Sequence, residues 1–280
     1  MKPLPQALDG LFAAAGAAAW GAVYYTALAP VMSPIAREKA AVLCPHPRTA
    51  LIAAFPYFAA DAPGNLSLYA RGEDYHLVLR RKLTPICDFL SEEYPEYLFL
   101  PGADSSPLPE REAAWRAGMG LRGKNGLLIL PPYGSYVFLG TVLTDCPFDV
   151  PETEESPGCC GCGRCLAACP TGALGEGCVE ESRCLSDLTQ RKGEVTAEEA
   201  SALRAHSLIW GCDLCQRCCP YNAHPALTPL TEFREDLVTS LKWEDLEGLT
   251  NRTFQERYAG RAFTWRGPGP LRRNLELKEE

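Results

Sequence analysis

Apolar and polar positions alternate differently in the two halves of the chain. Residues 1–20 are rich in closely spaced Ala and Gly, the pattern of a helix whose small residues pack closely on a sheet. Leu51-Ile-Ala-Ala-Phe-Pro-Tyr57 is a short apolar run bounded by turn-rich sequence, which predicts a buried strand. Asp61-Ala-Pro-Gly-Asn65 predicts a loop. Over residues 74–90, Leu77, Leu79, Leu83, Ile86 and Leu90 recur at helical spacing with basic residues between them, and Pro85 is placed to kink or restart that helix. Residues 101–107 read as a loop. Residues 109–118 read as a helix, with Pro at the start, acids in the first turn and Gly at the end. Two strand-like runs follow, 127–130 and 136–139, joined by residues 131–135 as a hairpin. This mixture predicts an α/β or α+β sandwich over residues 1–150. Residues 151–158 are acidic and Pro-rich, a boundary before a second module that ends near Asn222.

Leu11 to Pro30 carries no charge, yet Ala and Gly give little transfer energy and Tyr24, Tyr25 and Thr26 interrupt it, so a membrane span is disfavoured. As a signal peptide it has only Lys2 before the apolar run, followed by Asp9, and no twin-arginine pair. A buried Ala-rich helix leading into a strand fits better, which predicts a cytoplasmic protein with no membrane partner. At 280 residues the chain holds one large domain or two ordinary ones. A net charge of -8 argues against a general nucleic-acid coat but leaves room for a local basic patch. One candidate is the stretch from Arg252 to Arg273, with six arginines against one acid, Glu256. It reads either as a phosphate-contacting surface or as a solvated helix face paired with an acidic body.

The cysteines change the picture most. Cys159, Cys162, Cys165 and Cys169 form C-x2-C-x2-C-x3-C-P, the iron–sulfur rhythm in which three thiolates hold one cubane and the fourth reaches another. A second group is therefore required, and Cys212, Cys215 and Cys219 before Pro220 supply it as C-x2-C-x3-C-P, with Cys184 between the two groups. Zinc is the competing reading, because paired C-x2-C units bind it often. But four thiolates saturate a structural zinc, and here the first run alone holds four in ferredoxin spacing. A disulfide framework belongs to small secreted domains, and this chain can bury an ordinary core. Fourteen cysteines that hold clusters require a reducing compartment.

Other features carry less. Gly118-Met-Gly-Leu-Arg-Gly123-Lys124-Asn125 fits G-x4-G-K, but a P-loop needs Ser or Thr at the position of Asn125 and a preceding strand. Its glycines imply a tight backbone approached by a large ligand. His46, His76, His206 and His224 lack metal-ligand spacing and read as surface or satisfied core residues. Cys44, Cys87, Cys146, Cys160, Cys178 and Cys218 lie outside the cluster pattern and read as small apolar fillers.

From about Ala50 onward the chain resembles the cobalamin-dependent, iron–sulfur epoxyqueuosine reductases of tRNA modification. The resemblance rests on Tyr69-Ala-Arg-Gly-Glu-Asp-Tyr-His76, Ala103-Asp104-Ser-Ser-Pro107, Ala117-Gly-Met-Gly-Leu-Arg-Gly-Lys-Asn125 and Tyr133-Gly-Ser-Tyr-Val-Phe-Leu-Gly140. It continues through the ferredoxin run, Arg183-Cys-Leu-Ser186 and Gly211-Cys-Asp-Leu-Cys-Gln-Arg-Cys-Cys-Pro-Tyr-Asn222. It implies an α+β fold: a cobalamin-binding α/β sandwich over 1–150, a ferredoxin-like double 4Fe–4S module over 151–226 and a basic C-terminal tail over 227–280. The implied outer cluster uses Cys159, Cys162, Cys165 and Cys219, and the inner one Cys169, Cys184, Cys212 and Cys215.

Asp104 matches the family's proton donor, which would protonate the opening epoxide over the corrin face and needs a raised pKa to do so. Read from sequence alone, the same Asp is a helix N-cap or turn residue. Lys124, Asn125, Ser186 and Asp213 match positions that would line the cobalamin pocket with Asp104. The implied function is reduction of epoxyqueuosine in tRNA, with electrons from a flavodoxin or ferredoxin. Family members continue past the motif matched by Arg273-Asn274 into a helical-repeat domain that helps hold tRNA, and this sequence stops at Glu280. Two other functions compete: a small-molecule reductase like the reductive dehalogenases, and a ferredoxin-type carrier without cobalamin.

Overall fold

Thr49–Pro56 is buried along its whole length, as its apolar run predicts, and it is one of the two inner strands of the main sheet. The computed structural model describes residues 1–175 and 177–279. The strands are β1 (Lys2–Pro3), β2 (Ala19–Tyr24), β3 (Thr49–Pro56), β4 (Phe99–Gly102), β5 (Leu121–Arg122), β6 (Leu128–Ile129), β7 (Val137–Thr144) and β8 (Phe148–Asp149). The main sheet has the order β2-β3-β7-β4, and every pairing in it is antiparallel. Two compact units make up the chain. The first comprises Met1–Pro56, Tyr75–Arg122 and Leu127–Cys159; the second comprises Tyr57–Asp74, Gly123–Gly126 and Cys160–Glu280.

The first unit carries all eight strands and the helices α1 (Ala7–Ala15), α2 (Tyr25–Leu28), α3 (Pro34–Leu43), α4 (Tyr75–Glu93) and α5 (Glu110–Arg116). Alternation along β3 sends Ala50, Ile52 and Ala54 to one face, where they join Ala113, Ala114 and Trp115 of α5 in one apolar cluster. On the other face Phe55 meets Leu79 and Leu83 of α4 at Gly140. A Cβ at Gly140 would lie 2.9 Å from Leu83 Cδ1 and 3.3 Å from Leu79 Cδ2, so helix and sheet approach closely only because residue 140 is Gly.

Several sequence expectations change here. α4 runs through Pro85 as one helix. The proline costs it one backbone donor, but Leu83, Ile86 and Cys87 around it are buried and pin both halves to the sheet. Leu77, counted in the apolar stripe, is 47 % exposed. Residues 101–107 do not begin as a loop, because Pro101 and Gly102 complete β4. Leu130 and Gly134 bridge across the expected turn, yet its flanks join different sheets: β6 pairs with β5, and β7 with β3 and β4. The uncharged stretch after Leu11 is, as read, a helix leading into a strand. That helix is not buried, however: α1 buries only Leu8 and Phe12. Among the described residues no helix is long and apolar enough to cross a membrane.

The second unit holds α6 (Arg164–Ala168), α7 (Leu185–Gln190), α8 (Ala197–Ala205), α9 (Leu214–Arg217), α10 (Trp243–Leu246), α11 (Asn251–Arg257) and α12 (Gly269–Glu279). Its main core gathers Leu66, Ile209, Trp210, Phe254, Phe263 and Leu271. Phe254, Phe263 and Leu271 are completely buried. Each contributes roughly 2 kcal/mol of burial, so residues 227–280 are part of this core.

Most arginines of that stretch bind backbone carbonyls, a use outside both readings of the sequence. Arg273 donates to the carbonyls of Leu188 (2.9 Å), Arg191 (2.7 Å) and Gly193 (3.1 Å). Arg272 donates to those of Leu246 and Leu249, and Arg261 to those of Arg71 and Asp236. Most of this positive charge is thus spent tying loops together inside the unit. Arg252 and Arg257 are exposed on the same helix and pair with acids, Glu256 at 2.9 Å and Asp245 at 3.7 Å.

Candidate functional site

Asp104 lies in the first unit, between the end of β4 and α5, in the left-handed region at φ 54°. A non-glycine residue there is uncommon, and Asp is among the few that tolerate it. The position is held from both sides. The backbone N–H of Asp104 donates to Glu110 Oε1 at 2.8 Å. Its carboxylate accepts from Tyr75 Oη at 2.9 Å and lies 3.3 Å from His76 Nε2. Tyr75 is fixed in turn by stacking on Phe138, with ring centroids 4.3 Å apart. α5 has Pro109 at its N-cap and no side-chain capping bond, so Asp104 is not the cap of that helix.

Electrostatics reverse one expectation. Hydrogen bonding to His76 in the first place, and to Tyr75, holds the Asp104 carboxyl below the usual carboxylate range, whereas a proton donor was expected to be raised. Its side chain is 68 % exposed. The raised carboxyl is Glu110: burial, then the neighbouring Asp104 charge, push it up to about 8. Glu110 accepts one N–H and has no ion-pair partner among the described residues. The loop therefore sets a strengthened acid, Asp104, beside a weakened one, Glu110.

In the second unit no cysteine among the described residues is in a disulfide. Cys212 and Cys215 are pushed up to about 12, first by burial and then by neighbouring thiols, Cys184 and Cys169 beside Cys212, and Cys212 and Cys184 beside Cys215. The chain thus brings together Cys169, Cys184, Cys212 and Cys215, residues spread over 47 positions of sequence. Cys169 is raised by burial but lowered overall by the Thr171 hydroxyl and by backbone N–H groups. The backbone N–H of Arg164 lowers Cys162. Among the described residues no three side chains are set to hold a single metal ion. Buried thiols that repel one another as thiolates are a donor set that iron would neutralise. Cys159, the last residue of the first unit, donates its N–H to the Arg122 carbonyl at 3.0 Å. Of the cysteines read as fillers, Cys44, Cys87 and Cys146 are buried, but Cys160 and Cys178 are exposed and cannot be fillers.

The pocket residues inferred from motif positions divide into two kinds. Asp213 is 1 % exposed and accepts from Ser67 Oγ at 2.5 Å and from Leu68 N at 3.0 Å. It ties residues 67–68 to the turn that carries Cys212 and Cys215. The same turn needs Gly211, at φ 75°, because a Cβ there would lie 2.4 Å from Ser67 Cβ. Asn125 is 3 % exposed and its side chain lies beside the Cys215 thiol, opposing in part the upward push of burial. Lys124 and Ser186 stay partly exposed, and Ser186 Oγ accepts from Gln190 Nε2 at 3.4 Å. Of the four, these two keep polar side chains partly open, which fits the amide-rich periphery of a ring such as cobalamin. Asp213 and Asn125 build the frame instead.

Tyr75, His76 and Glu110 escaped the sequence reading. The signal for Tyr75 and His76 was present, since both close the first motif of the resemblance. Glu110 was counted only as first-turn helix charge, and nothing in its spacing from Asp104 reveals a shared loop.

Residues 37–105 match the family described as epoxyqueuosine reductase QueG, DUF1730, and residues 158–222 match a 4Fe-4S double cluster binding domain. The epoxyqueuosine reductase of Gloeobacter violaceus is 34% identical over 280 residues, covering 96% of this chain and 87% of that protein. The chain belongs to the epoxyqueuosine reductase family. The enzyme of Listeria monocytogenes is 39% identical over 246 residues, covering 82% of this chain and 62% of the relative. The Bacillus subtilis enzyme is 35% identical, covering 81% and 61%. The chain thus spans about three fifths of the length of these two family members.

Solved epoxyqueuosine reductases share the fold. One in complex with a tRNA-Tyr epoxyqueuosine-modified tRNA stem loop has a TM-score of 0.78 at 29% identity, covering 98% of this chain and 80% of that one. A Bacillus subtilis structure whose catalytic aspartate loop is swung out of the active site has a TM-score of 0.80 at 29% identity, covering 98% and 81%. The family assignment gives the chain a mixed α/β fold with a 4Fe–4S-binding region.

Proposed function

We propose that the protein is an iron–sulfur and cobalamin-dependent reductase that removes the epoxide oxygen of epoxyqueuosine in tRNA. The observation that carries this reading is the Asp104 loop: an acid held in a left-handed turn by Tyr75, His76 and Glu110. The reaction needs two electrons and two protons and releases water, so it requires an acid that is positioned rather than merely present. The aspartate loop of the Bacillus subtilis relative supports the same role for Asp104.

Cobalamin, when bound, supplies low-valent cobalt as nucleophile or electron donor. Asp104, ionised in the free protein, takes up a proton in the substrate complex and passes it to the departing oxygen. Tyr75 and His76 aim its carboxyl, and Glu110 holds its backbone. Lys124 and Ser186 contribute polar groups to the cofactor pocket. Cys159, Cys162, Cys165 and Cys219 would hold one 4Fe–4S cluster and Cys169, Cys184, Cys212 and Cys215 the other, which would supply the path for electrons from a flavodoxin or ferredoxin. Asn125 and Asp213 orient the second set. In this division the sandwich over 1–150 is the catalytic part, residues 151–226 the two-cluster module, and the reducing cytoplasm the location.

The test is anaerobic reconstitution with iron, sulfide and cobalamin, then reaction with an epoxyqueuosine-modified stem loop under a chemical reductant. Conversion to queuosine that requires cobalamin is the expected result. Full cofactor loading without conversion would point to a small-molecule substrate instead.

A further inference from the structure

Arg266 stands apart from the other arginines of the C-terminal stretch. It makes no hydrogen bond among the described residues, and its Nε is buried without a partner. Its guanidinium lies 3.6 Å from the centroid of the Trp265 ring. Trp265 is 56 % exposed, one of the most exposed large apolar side chains, and its Nε1 donates to Gln190 Oε1 at 3.2 Å. Nothing in the packing of the unit requires this pair at the surface.

Beside the pair is a cavity of about 310 Å³ lined by Arg266, Lys192, Arg273, Asn251 and the first turn of α12. Three cations and no acid face it. Arg273 is committed to three carbonyls and adds only field. Lys192 is exposed and has no ion pair among the described residues, so Lys192 and Arg266 hold the uncommitted donors. Such a lining selects an anion. The volume exceeds one phosphate group and sits at the low end of small-ligand pockets, roughly 300 Å³ and upward. An exposed indole that carries a guanidinium beside a cationic cavity is the arrangement on which unpaired bases stack.

We propose that Lys192, Trp265 and Arg266 form a subsite for one single-stranded RNA nucleotide, with its phosphate in the cavity and its base against the Trp265–Arg266 pair. The site rests on the reading that the substrate is an RNA. It assigns part of the RNA grip to the second unit itself. Arg272 and Arg273 offer it no hydrogen-bond donors, because backbone carbonyls occupy them.

The test uses the full chain with its clusters reconstituted anaerobically, a fluorescent RNA stem loop and a salt titration. Lys192→Ala and Arg266→Gln should each reduce the salt slope of binding by roughly 0.7, one single-strand phosphate contact. Trp265→Ala should weaken binding by about 5- to 100-fold at every salt concentration with little change of slope, since stacking is not ionic. Iron content and far-UV circular dichroism should match wild type, because these side chains hold no backbone group. Unchanged RNA binding in all three variants would overturn the subsite and leave the proposed reaction standing. Loss of binding to AMP or inorganic phosphate with RNA binding intact would also overturn it, reassigning the cavity to a free anion. Wild-type protein that fails to bind the stem loop would overturn both readings. Variants that shift RNA binding as described, in a protein that does not turn over, would overturn the reaction alone.

Discussion

Glu110 accepts the backbone N–H of Asp104 at 2.8 Å, so the carboxyl that fixes the loop is itself mostly buried and lies beside a second carboxylate. Burial and the Asp104 charge raise Glu110 from 4.5 to about 8. A raised carboxyl stabilises nothing by ionising. The folded protein keeps a proton that the unfolded chain has already lost, so stability falls as pH rises from about 4.5 towards 8.

Glu110→Gln keeps the oxygen acceptor and removes the titration. The variant should gain stability relative to wild type between pH 5 and pH 9, by on the order of 3 kcal/mol at the alkaline end. Thermal unfolding of both proteins across that range checks this. Parallel curves would mean that Glu110 is ionised throughout.

His76 is the main cause of the low Asp104 pKa. His76→Ala removes that partner, so the Asp104 carboxyl should hold its proton to higher pH. In the reconstituted enzyme the alkaline decline of turnover should move to higher pH. A decline that stays in place would assign it to a group other than Asp104.

Cys184 shares the electrostatic neighbourhood of Cys212 and Cys215, whereas Cys218 lies near Cys165 and Cys162 but is not needed for either ligand set. Anaerobic protein should contain about eight irons, two cubanes of four. Cys184→Ala should lower the iron content, and Cys218→Ala should leave it unchanged. The reverse pattern would redraw the ligand assignment, and stoichiometric zinc would remove it.

Asn274 is 1 % exposed and donates to the carbonyls of Thr189 (2.7 Å) and Ile209 (2.8 Å). Asn274→Ala would leave two buried carbonyls without this donor and should destabilise the protein by about 3 kcal/mol, read by denaturant unfolding. A change below about 0.5 kcal/mol would show that water replaces the amide.

The cluster cysteines were legible in the sequence because iron–sulfur ligation fixes residue type and spacing together, as Cys159 to Cys169 show. β3 was legible because a strand buried on both faces reads as an unbroken apolar run. The hairpin around residues 131–135 misled because a turn signal says nothing about which strand its flanks pair with. The arginines misled for a related reason: charge shows in sequence, but the carbonyls that Arg272 and Arg273 bind lie 23 to 85 residues away. Asp104 was found by motif, but its partners Tyr75 and Glu110 were not, since their meeting depends on how α4 and α5 pack on the sheet.

The most direct measurement is single-turnover conversion of an epoxyqueuosine-modified stem loop by wild type and Asp104→Asn, each assayed for iron and cobalamin content beforehand. Asn tolerates the left-handed turn and keeps the N–H that Glu110 accepts, so the loop survives while the transferable proton is lost. Equal cofactor loading with turnover ~100- to 10,000-fold slower in the variant is the expected result. Turnover near wild type at full loading would remove Asp104 from the reaction and contradict the proposed function of its loop.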